Sequence, residues 1–320
     1  MMSDPAAPQV HDVAIVGGGG AGLTAALYTS RAKLSTILFE KLMPGGQIAS
    51  TDLVENYPGF PEGVLGPDIA QKMEAQAKRY GTEFLFEEVR EVRRKDHFFE
   101  VITAEGSTVS RAVILAMGAC FRRLGVPNEK EFTGKGVSYC ATCDGAFFKG
   151  KEILVIGGGD SALQEGIFLT RFASKVTIVH RRDQLRAAPI LQDRASANAK
   201  ISFIWDTVVD KIEGRNKVEA VLLKNVKTQQ VSSRNVEGIF IFAGHDPATA
   251  FVEGFVERDE KGYVRTGESC ATSVPGVFAA GEVRKGAVWQ LVAACGEGCE
   301  AALAVQNYLE QHKERAGSAS

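Results

Sequence analysis

The chain has 320 residues, 45% of them hydrophobic and 24% charged, so it can bury a sizeable core and has room for about two domains. Its net charge of −2 and its lack of a long basic run argue against a nucleic-acid partner. It contains no run of about 18 apolar residues, and its N-terminus carries no cationic segment followed by an apolar one. We therefore expect a soluble, cytoplasmic protein without a membrane partner.

The first predicted strand, residues 12–16, is apolar throughout after Asp12, which is typical of a strand buried in a parallel sheet. A G-x-G-x-x-G pattern follows, with its glycines at Gly17, Gly19 and Gly22. This pattern permits a tight turn into a helix whose free N–H groups can bind a pyrophosphate. The next strand, 36–39, ends at Glu40, which can accept hydrogen bonds from ribose hydroxyls. Residues 17–22, the first cradle, thus predict an FAD or NAD site, with a ligand-free glycine turn as the alternative.

The stretch after the first cradle is rich in turn signals. A glycine pair at 45–46 precedes Gln47, and a Pro/Gly-rich loop occupies residues 56–67. The elements predicted beyond this loop are a helix over 67–80, strands over 83–93 and 97–103 that suggest a β meander, and a strand over 112–116.

Two cysteines separated by two residues, Cys140 and Cys143, lie near the middle of the chain, and Asp144 follows at once. Such a pair can close a small disulfide, and a neighbouring acid can move protons during thiol–disulfide exchange. In the cytoplasm a pair of this kind is more often catalytic than structural. The alternatives are a structural disulfide and an acid that only caps the next turn. The other cysteines are taken as buried bystanders, and zinc is not expected at Cys295 and Cys299, which lack histidine partners.

A second strand–glycine–helix unit begins with the predicted buried strand 151–156, which is apolar from Ile153 onwards. Its glycine pattern, the second cradle (residues 157–162), has alanine in third place: Gly157, Gly159 and Ala162. After the strand 175–179, Arg181 occupies the position that corresponds to Glu40 of the first unit. A guanidinium there fits a 2′-phosphate through bidentate contacts, and Arg186 can add another. The second cradle therefore predicts NADP, with a solvated basic strand end as the alternative.

The remaining elements indicate how the two units are connected. Strands are predicted near 201–205, 218–224 and 237–242, a linker at 244–247, a strand over 273–281 that leads to Glu282, and a helix over 288–308. We expect an α/β protein with two Rossmann-like FAD- and NAD(P)-binding domains, the second inserted into the first. The FAD-binding domain comprises residues 1–117 and 245–320, and the NADPH-binding domain, which carries the cysteine pair, comprises 118–244. A dithiol between two dinucleotide sites predicts an electron relay.

These motifs together closely resemble the low-molecular-weight thioredoxin reductases, which belong to the two-dinucleotide-binding flavoprotein disulfide reductases. The resemblance covers nearly the whole chain, and its order and spacing are highly specific. The matching motifs are GGGGAG (17–22), GGQ (45–47), ENYPGFPEG (55–63), CATCDG (140–145), GGGDSA (157–162), HRRDQLRA (180–187) and SVPGVFAAGEV (273–283).

The resemblance implies a role for each matching residue. FAD would be bound by Gly17, Gly19, Gly22, Glu40, Gly46, Gln47, Asn56, Gly281, Glu282 and Gln290, with Trp289 beside them. NADPH would be bound by Gly159, Ser161, Arg181, Arg182 and Arg186. Cys140 and Cys143 would form the redox disulfide, with Asp144 as proton donor. The resemblance also implies a homodimer, rotation of the inserted domain, and thioredoxin as protein substrate.

Two departures from the family pattern concern the flavin region. Glu282 stands where the family usually has Asp, so we expect some rearrangement there. Trp289 stands where the family usually has Arg, and its indole could cover the isoalloxazine and obstruct nicotinamide, or it could be a plain core tryptophan. This leaves ferredoxin open as an alternative electron donor, although the three arginines of the second unit favour NADPH. A reductase of another dithiol protein and a flavin-bound redox sensor without turnover are the remaining alternatives.

Overall fold

The structure, a computed structural model, describes residues 10–317. Within these residues the chain divides into two compact units. The first contains the segments up to Cys120 and from Asp246 onwards, and the second is Phe121–His245.

The strands, in chain order, are β1 (Val10–Val16), β2 (Thr36–Phe39), β3 (Leu53–Val54), β4 (Val64–Leu65), β5 (Glu83–Leu85), β6 (Glu91–Lys95), β7 (Phe98–Ile102), β8 (Ser107–Leu115), β9 (Ala119–Phe121), β10 (Val137–Ser138), β11 (Glu152–Ile156), β12 (Lys175–Val179), β13 (Ile201–Ile204), β14 (Thr207–Gly214), β15 (Val218–Asn225), β16 (Val231–Asn235), β17 (Gly238–Ile241), β18 (His245–Pro247) and β19 (Val277–Ala279). The helices are α1 (Gly20–Arg31), α2 (Gly66–Arg79), α3 (Glu129–Phe132), α4 (Ala141–Asp144), α5 (Asp160–Leu169), α6 (Pro189–Ala197) and α7 (Leu291–Gly317). Short 3₁₀ turns occupy Gly46–Ser50, Gly145–Phe148, Ala250–Val252 and Glu268–Cys270.

The first unit is built on a seven-stranded sheet with the order β5-β2-β1-β8-β7-β6, and β19 pairs with β8. Strands β5, β2, β1, β8 and β19 are parallel, whereas β6, β7 and β8 form an antiparallel meander. Alternate residues of the second half of β1 face opposite sides of this sheet, and both sides are buried, which explains the apolar run from Val13 to Val16. Helices α1 and α7 cover one side. They approach closely, since a Cβ on Gly298 would lie 2.2 Å from the Ala21 carbonyl oxygen.

Three predicted strands of the first unit have clearly different bounds in the structure. The predicted strand 112–116 is the end of the longer β8, which begins at Ser107. The predicted strand 83–93 is wrong: β5 joins the parallel sheet beside β2, and β6 begins the meander only at Glu91. Of the predicted strand 273–281, only β19 is a strand in the structure. Strand pairing does not begin earlier because Pro275 lacks an N–H and Gly276 has φ +89°. The terminal helix begins at Leu291 and continues to Gly317, beyond the predicted range.

The second unit contains a parallel five-stranded sheet with the order β10-β17-β11-β12-β13 and an antiparallel sheet of β14, β15 and β16. Strands β11 and β12 pair over five residues each, and after their first residue both are buried and apolar except for Thr177. The sequence pattern did not reveal β14 or β16. Strand β16 (VSSRN) is almost wholly exposed, so no hydrophobic alternation marks it, and its pairing with β15 defines it.

The architecture confirms the predicted fold class, since each unit has a parallel sheet in which a strand, a glycine turn and a helix follow one another. Across residues 10–317, no helix is both long enough and apolar enough to cross a membrane.

A buried carboxylate organises the antiparallel meander. Glu100 is 5% exposed and receives hydrogen bonds from Arg93 Nε (2.8 Å), Lys95 Nζ (3.2 Å) and Ser107 Oγ (2.9 Å). The Arg93 hydrogen bond is the largest of the effects that lower the pKa of Glu100 from 4.5 to about 2.

We predict that Glu100→Gln lowers the melting temperature at pH 7 and flattens the acid side of the stability profile. Because the folded pKa lies below the unfolded one, the carboxylate stabilises the fold above about pH 4.5 and loses this effect as the pH falls towards 2. Thermal melts between pH 2 and pH 7 measure this, with exposed Glu105→Gln as the control. An acid limb of unchanged slope in Glu100→Gln would contradict the prediction.

Candidate active site and nucleotide cradles

Cys140 and Cys143 are joined by a disulfide with a Cα–Cα distance of 5.4 Å. The pair begins the one-turn helix α4, for which Cys140 is the N-terminal cap. The backbone N–H of Cys143 donates to Cys140 Sγ at 3.2 Å. When the disulfide opens, the same N–H can stabilise a thiolate on Cys140, the form that is reactive in thiol–disulfide exchange. Cys143 is exposed, so the pair is open to a partner from solvent.

Hydrogen bonds fix the backbone of Cys140 on both sides. Its N–H donates to Ser138 Oγ at 3.1 Å, and the Ser138 hydroxyl donates to the Cys140 carbonyl at 3.1 Å. The N–H of Asp144 also donates to this carbonyl, at 3.3 Å, which places Asp144 on the same turn as the disulfide. The side chain of Asp144 is half-buried.

The first cradle has the shape that a phosphate requires. A Cβ on Gly17, where φ is +103°, would lie 2.4 Å from the Ala116 carbonyl oxygen, and one on Gly22 would lie 1.8 Å from the Gly17 carbonyl oxygen. Both positions therefore exclude a side chain. At Gly19 nothing lies within 4 Å, so that face of the turn is open towards the start of α1. These features fit the pyrophosphate of a dinucleotide.

Glu40 is held against the first cradle. It follows directly after β2, and its Oε2 accepts from the Gly18 N–H at 2.8 Å. Its Oε1 accepts from the Leu42 N–H at 3.0 Å. The carboxylate is thus fixed at the carboxyl end of the parallel sheet, beside the open turn, where a ribose adjoining the pyrophosphate would be within its reach.

Several predicted flavin residues lie together in the first unit. Gln47, in the 3₁₀ turn that begins at Gly46, donates from Nε2 to Glu282 Oε2 at 2.9 Å. Burial raises the pKa of Glu282, and the hydrogen bond from Gln47 opposes this shift. Asn56 Nδ2 donates to Gln290 Oε1 at 2.8 Å. Together these contacts link the loop after the first cradle to the segment that enters α7.

Trp289 is not a core residue of this unit, because 39% of its surface is exposed. Its ring stands edge-on to Tyr263, with centroids 6.4 Å apart and an interplanar angle of 83°. An edge-to-face pair of this kind holds the indole in one orientation next to Gln290.

An ion pair next to Gly281 was not predicted from the sequence. Glu297 of α7 accepts from the Gly281 N–H at 2.7 Å through Oε2, and its Oε1 lies 3.0 Å from Arg284 Nη1. Arg284 Nε in turn donates to Thr266 Oγ1 at 2.9 Å. Glu297 and Arg284 are mostly buried and fix the turn at Gly281, where φ is +81°. No motif marks Glu297, because its partner lies 16 residues away in the sequence.

The second cradle repeats the open turn of the first. A Cβ on Gly157 would lie 2.6 Å from the Phe242 carbonyl oxygen, whereas nothing lies within 4 Å of Gly159. Ser161 is exposed in the first turn of α5. The geometry again fits a pyrophosphate at the start of a helix.

The arginine-bearing loop after β12 is tied to the second cradle. Arg186 donates its N–H to the Gly158 carbonyl at 2.7 Å, and Ala188 donates its N–H to Asp160 Oδ1 at 2.7 Å. The side chains of Arg181, Arg182 and Arg186 are exposed. The loop that carries these three arginines is therefore anchored to the second cradle by its backbone. The sequence did not reveal this role of Asp160.

The ring of His180 packs against Gly158 of the second cradle. A Cβ on Gly158 would lie 2.4 Å from the His180 ring, so ring and glycine are in close contact. Burial, followed by the charge of Arg186, lowers the pKa of His180 from 6.5. The ring is therefore neutral at neutral pH, and the positive charge of the loop belongs to its arginines.

Known proteins match the chain over almost its whole length. The family model for pyridine nucleotide-disulphide oxidoreductases matches residues 11–298. The thioredoxin reductase of Bacillus subtilis (strain 168) is 49% identical over 96% of this chain and 97% of its own length. That of Mycolicibacterium smegmatis is 46% identical over 94% of this chain and 97% of its own length. The crystal structure of Lactococcus lactis thioredoxin reductase superposes with a TM-score of 0.92 at 43% identity, covering 94% of this chain and 99% of that one.

The family model spans both cradles and the cysteine pair, and the relatives are far above 30% identity at nearly full coverage. The resemblance inferred from the sequence motifs is thus confirmed. The chain belongs to the pyridine nucleotide-disulphide oxidoreductases and, within that family of enzymes, to the low-molecular-weight thioredoxin reductases.

Proposed function

We propose that the chain is an NADPH-dependent, FAD-containing thioredoxin-disulfide reductase. Two electrons would pass from NADPH through FAD to the Cys140–Cys143 disulfide and from the resulting dithiol to thioredoxin. The observation that carries the proposal is a partly exposed Cys-x-x-Cys disulfide in a chain that also has two dinucleotide cradles. That the relatives are thioredoxin reductases supports thioredoxin as the substrate.

We assign FAD to the first unit. When bound, FAD supplies a group that accepts a hydride and can pass two electrons to a disulfide. The first cradle would bind its pyrophosphate, and Glu40 its ribose. Glu282, oriented by Gln47, would face the rest of the cofactor together with the Asn56–Gln290 pair. The arrangement supports the predicted residue set, in which Glu282 is accommodated by its hydrogen bond to Gln47.

We assign NADPH to the second unit. Gly159 and Ser161 would face its pyrophosphate at the start of α5, and Arg181, Arg182 and Arg186 its 2′-phosphate. Asp183, the carboxylate within the same loop, is paired with Lys227 at 3.1 Å, so its charge is already compensated. The three arginines favour NADPH over ferredoxin as electron donor.

An exposed aromatic side chain near the disulfide in the sequence supports a protein substrate. Phe147, four residues after Cys143, lies in the 3₁₀ turn that continues α4 and is 72% exposed. An exposed aromatic ring is a common anchor at protein interfaces.

The proposal also includes a homodimer and a cytoplasmic location, as the family resemblance implies.

We predict that Cys140→Ser and Cys143→Ser each reduce thioredoxin reduction by more than about a thousandfold, because a single thiol cannot complete the exchange. Flavin reduction by NADPH should persist, since neither cysteine contributes to the cradles. Steady-state assays with thioredoxin and stopped-flow flavin absorbance measure the two steps. The control is Cys120→Ser, because Cys120 is exposed, although it was predicted from the sequence to be buried. A serine variant that keeps near-normal thioredoxin reduction would refute the assigned role.

We predict that Arg181→Gln raises the KM for NADPH about 10- to 100-fold, since a charge-assisted contact to phosphate is worth roughly 1.5–3 kcal/mol. The KM for NADH should stay the same, because NADH lacks the 2′-phosphate. Arg215→Gln, an exposed arginine in the turn between β14 and β15, is the matched control. Equal KM changes for both nucleotides would contradict a 2′-phosphate contact.

We predict that Glu297→Gln weakens FAD binding about tenfold, which corresponds to about 1.4 kcal/mol, because it removes the ion pair that fixes the Gly281 turn. Fluorescence titration of FAD into the apoprotein measures the dissociation constant. Glu310→Gln, an exposed position on the same helix, should bind as the unmodified chain does. An unchanged dissociation constant in Glu297→Gln would show that the ion pair does not support the cofactor.

A further inference from the structure

A buried carboxylate contacts the chain just before the redox segment, residues 140–143, which contains the cysteine pair. Glu129, at the start of α3, is 3% exposed. Its two oxygens accept from the N–H groups of Leu124 (2.9 Å) and Gly125 (2.7 Å), and Oε1 also accepts from the Tyr139 hydroxyl at 2.6 Å. Three donors thus satisfy a charge that would otherwise be costly to bury.

Tyr139 connects this carboxylate to the cysteine pair. It is half-buried and directly precedes Cys140. Burial, followed by the hydrogen bond to Glu129, raises the pKa of Tyr139 to about 12, so its hydroxyl remains a donor throughout the physiological range. One side chain therefore anchors the chain at the point where the redox segment begins.

The ring of Tyr139 is also held from the side. It lies near Phe121, with centroids 6.4 Å apart and an interplanar angle of 24°. Phe121 in turn contacts His245, with ring centroids 5.1 Å apart. Since Tyr139 is fixed by its hydroxyl and its ring, and Ser138 by its bonds to Cys140, the backbone that enters Cys140 has little freedom.

The freedom of this backbone affects the redox couple directly. A disulfide between two cysteines forms more readily when the dithiol already holds both sulfurs close together, because less conformational entropy is lost on closure. A rigid segment before Cys140 thus favours the disulfide, and a looser one favours the dithiol.

We propose that Glu129 and Tyr139 are positioning residues for the Cys140–Cys143 redox couple. They hold the backbone of Cys140 so that the two sulfurs remain near each other after reduction, and they thereby set the dithiol–disulfide equilibrium. The inference deepens the proposed function, on which it rests for the biological use of the couple.

The equilibrium can be measured with a small dithiol, without NADPH or thioredoxin. Reduced dithiothreitol transfers two electrons and two protons: the Cys140–Cys143 bond breaks, two thiols form, and dithiothreitol closes its own disulfide. The purified protein as isolated is equilibrated anaerobically in buffers of reduced and oxidised dithiothreitol. The thiols are then trapped by alkylation, and those of Cys140 and Cys143 are counted by peptide mass spectrometry.

Tyr139→Phe should lower the equilibrium constant for disulfide formation about threefold, which corresponds to about 14 mV at 29.6 mV per tenfold change. Glu129→Gln should lower it about tenfold, about 30 mV, because its amide cannot accept from all three donors. The double variant should equal Glu129→Gln alone, since the two residues act as one unit. Tyr80→Phe, an exposed tyrosine of the first unit, should leave the equilibrium unchanged.

A folded Tyr139→Phe variant with an equilibrium constant within about 1.5-fold of that of the unmodified chain would overturn the proposal, even if Glu129→Gln did not fold. Effects of the two substitutions that simply add would overturn the claim that they act as a unit. The outcome is independent of the proposed function. A shifted equilibrium in a chain that fails to reduce thioredoxin would support the positioning role and refute thioredoxin as the substrate. Normal thioredoxin reduction with an unshifted equilibrium would support the substrate and refute the positioning role.

Discussion

The first N–H groups of a helix have no acceptor within the helix, and both units place such a helix start at the carboxyl end of a parallel strand. In each unit a glycine turn makes the connection, and the middle glycine is open to its surroundings. This arrangement fits the phosphates of a dinucleotide, and it supports the proposal that the chain has two separate nucleotide sites. In our proposal, the nucleotide that each unit prefers then depends on a single residue at the end of the next strand. This residue is Glu40 in the first unit and Arg181 in the second.

The cysteine pair adds chemistry that neither cradle has. The disulfide of Cys140 and Cys143 can take two electrons, and the Cys143 N–H is already directed at the sulfur that would carry negative charge. The Ser138 hydroxyl accepts from the Cys140 N–H and donates to the Cys140 carbonyl, and these two bonds hold Cys140 in place. A nucleotide that delivers electrons, a flavin that transfers them and a disulfide that passes them to a protein form a consistent sequence of steps. The family to which the chain belongs supports this interpretation.

Much of the fold could be predicted from sequence, because buried parallel strands are marked by runs of consecutive apolar residues. Strand β2 was predicted to the residue, and the glycine patterns located both cradles. Two of the misses, β16 and β5, share one physical cause. Strand β16 is exposed and polar, so only its pairing partner defines it, and β5 is a short edge strand whose position depends on β2. For the same reason the contacts of Glu297 with Gly281 and of Glu129 with Tyr139 were not predicted, since folding brings these residues together.

The most direct measurement is an anaerobic titration of the purified yellow protein with NADPH, in which flavin absorbance and free thiols are followed together. If electrons pass from NADPH through FAD to the disulfide, the flavin will bleach and the thiols of Cys140 and Cys143 will appear in each chain. A flavin that stays oxidised under NADPH, while photoreduction still yields the two thiols, would contradict NADPH as donor and make reduced ferredoxin the next donor to test.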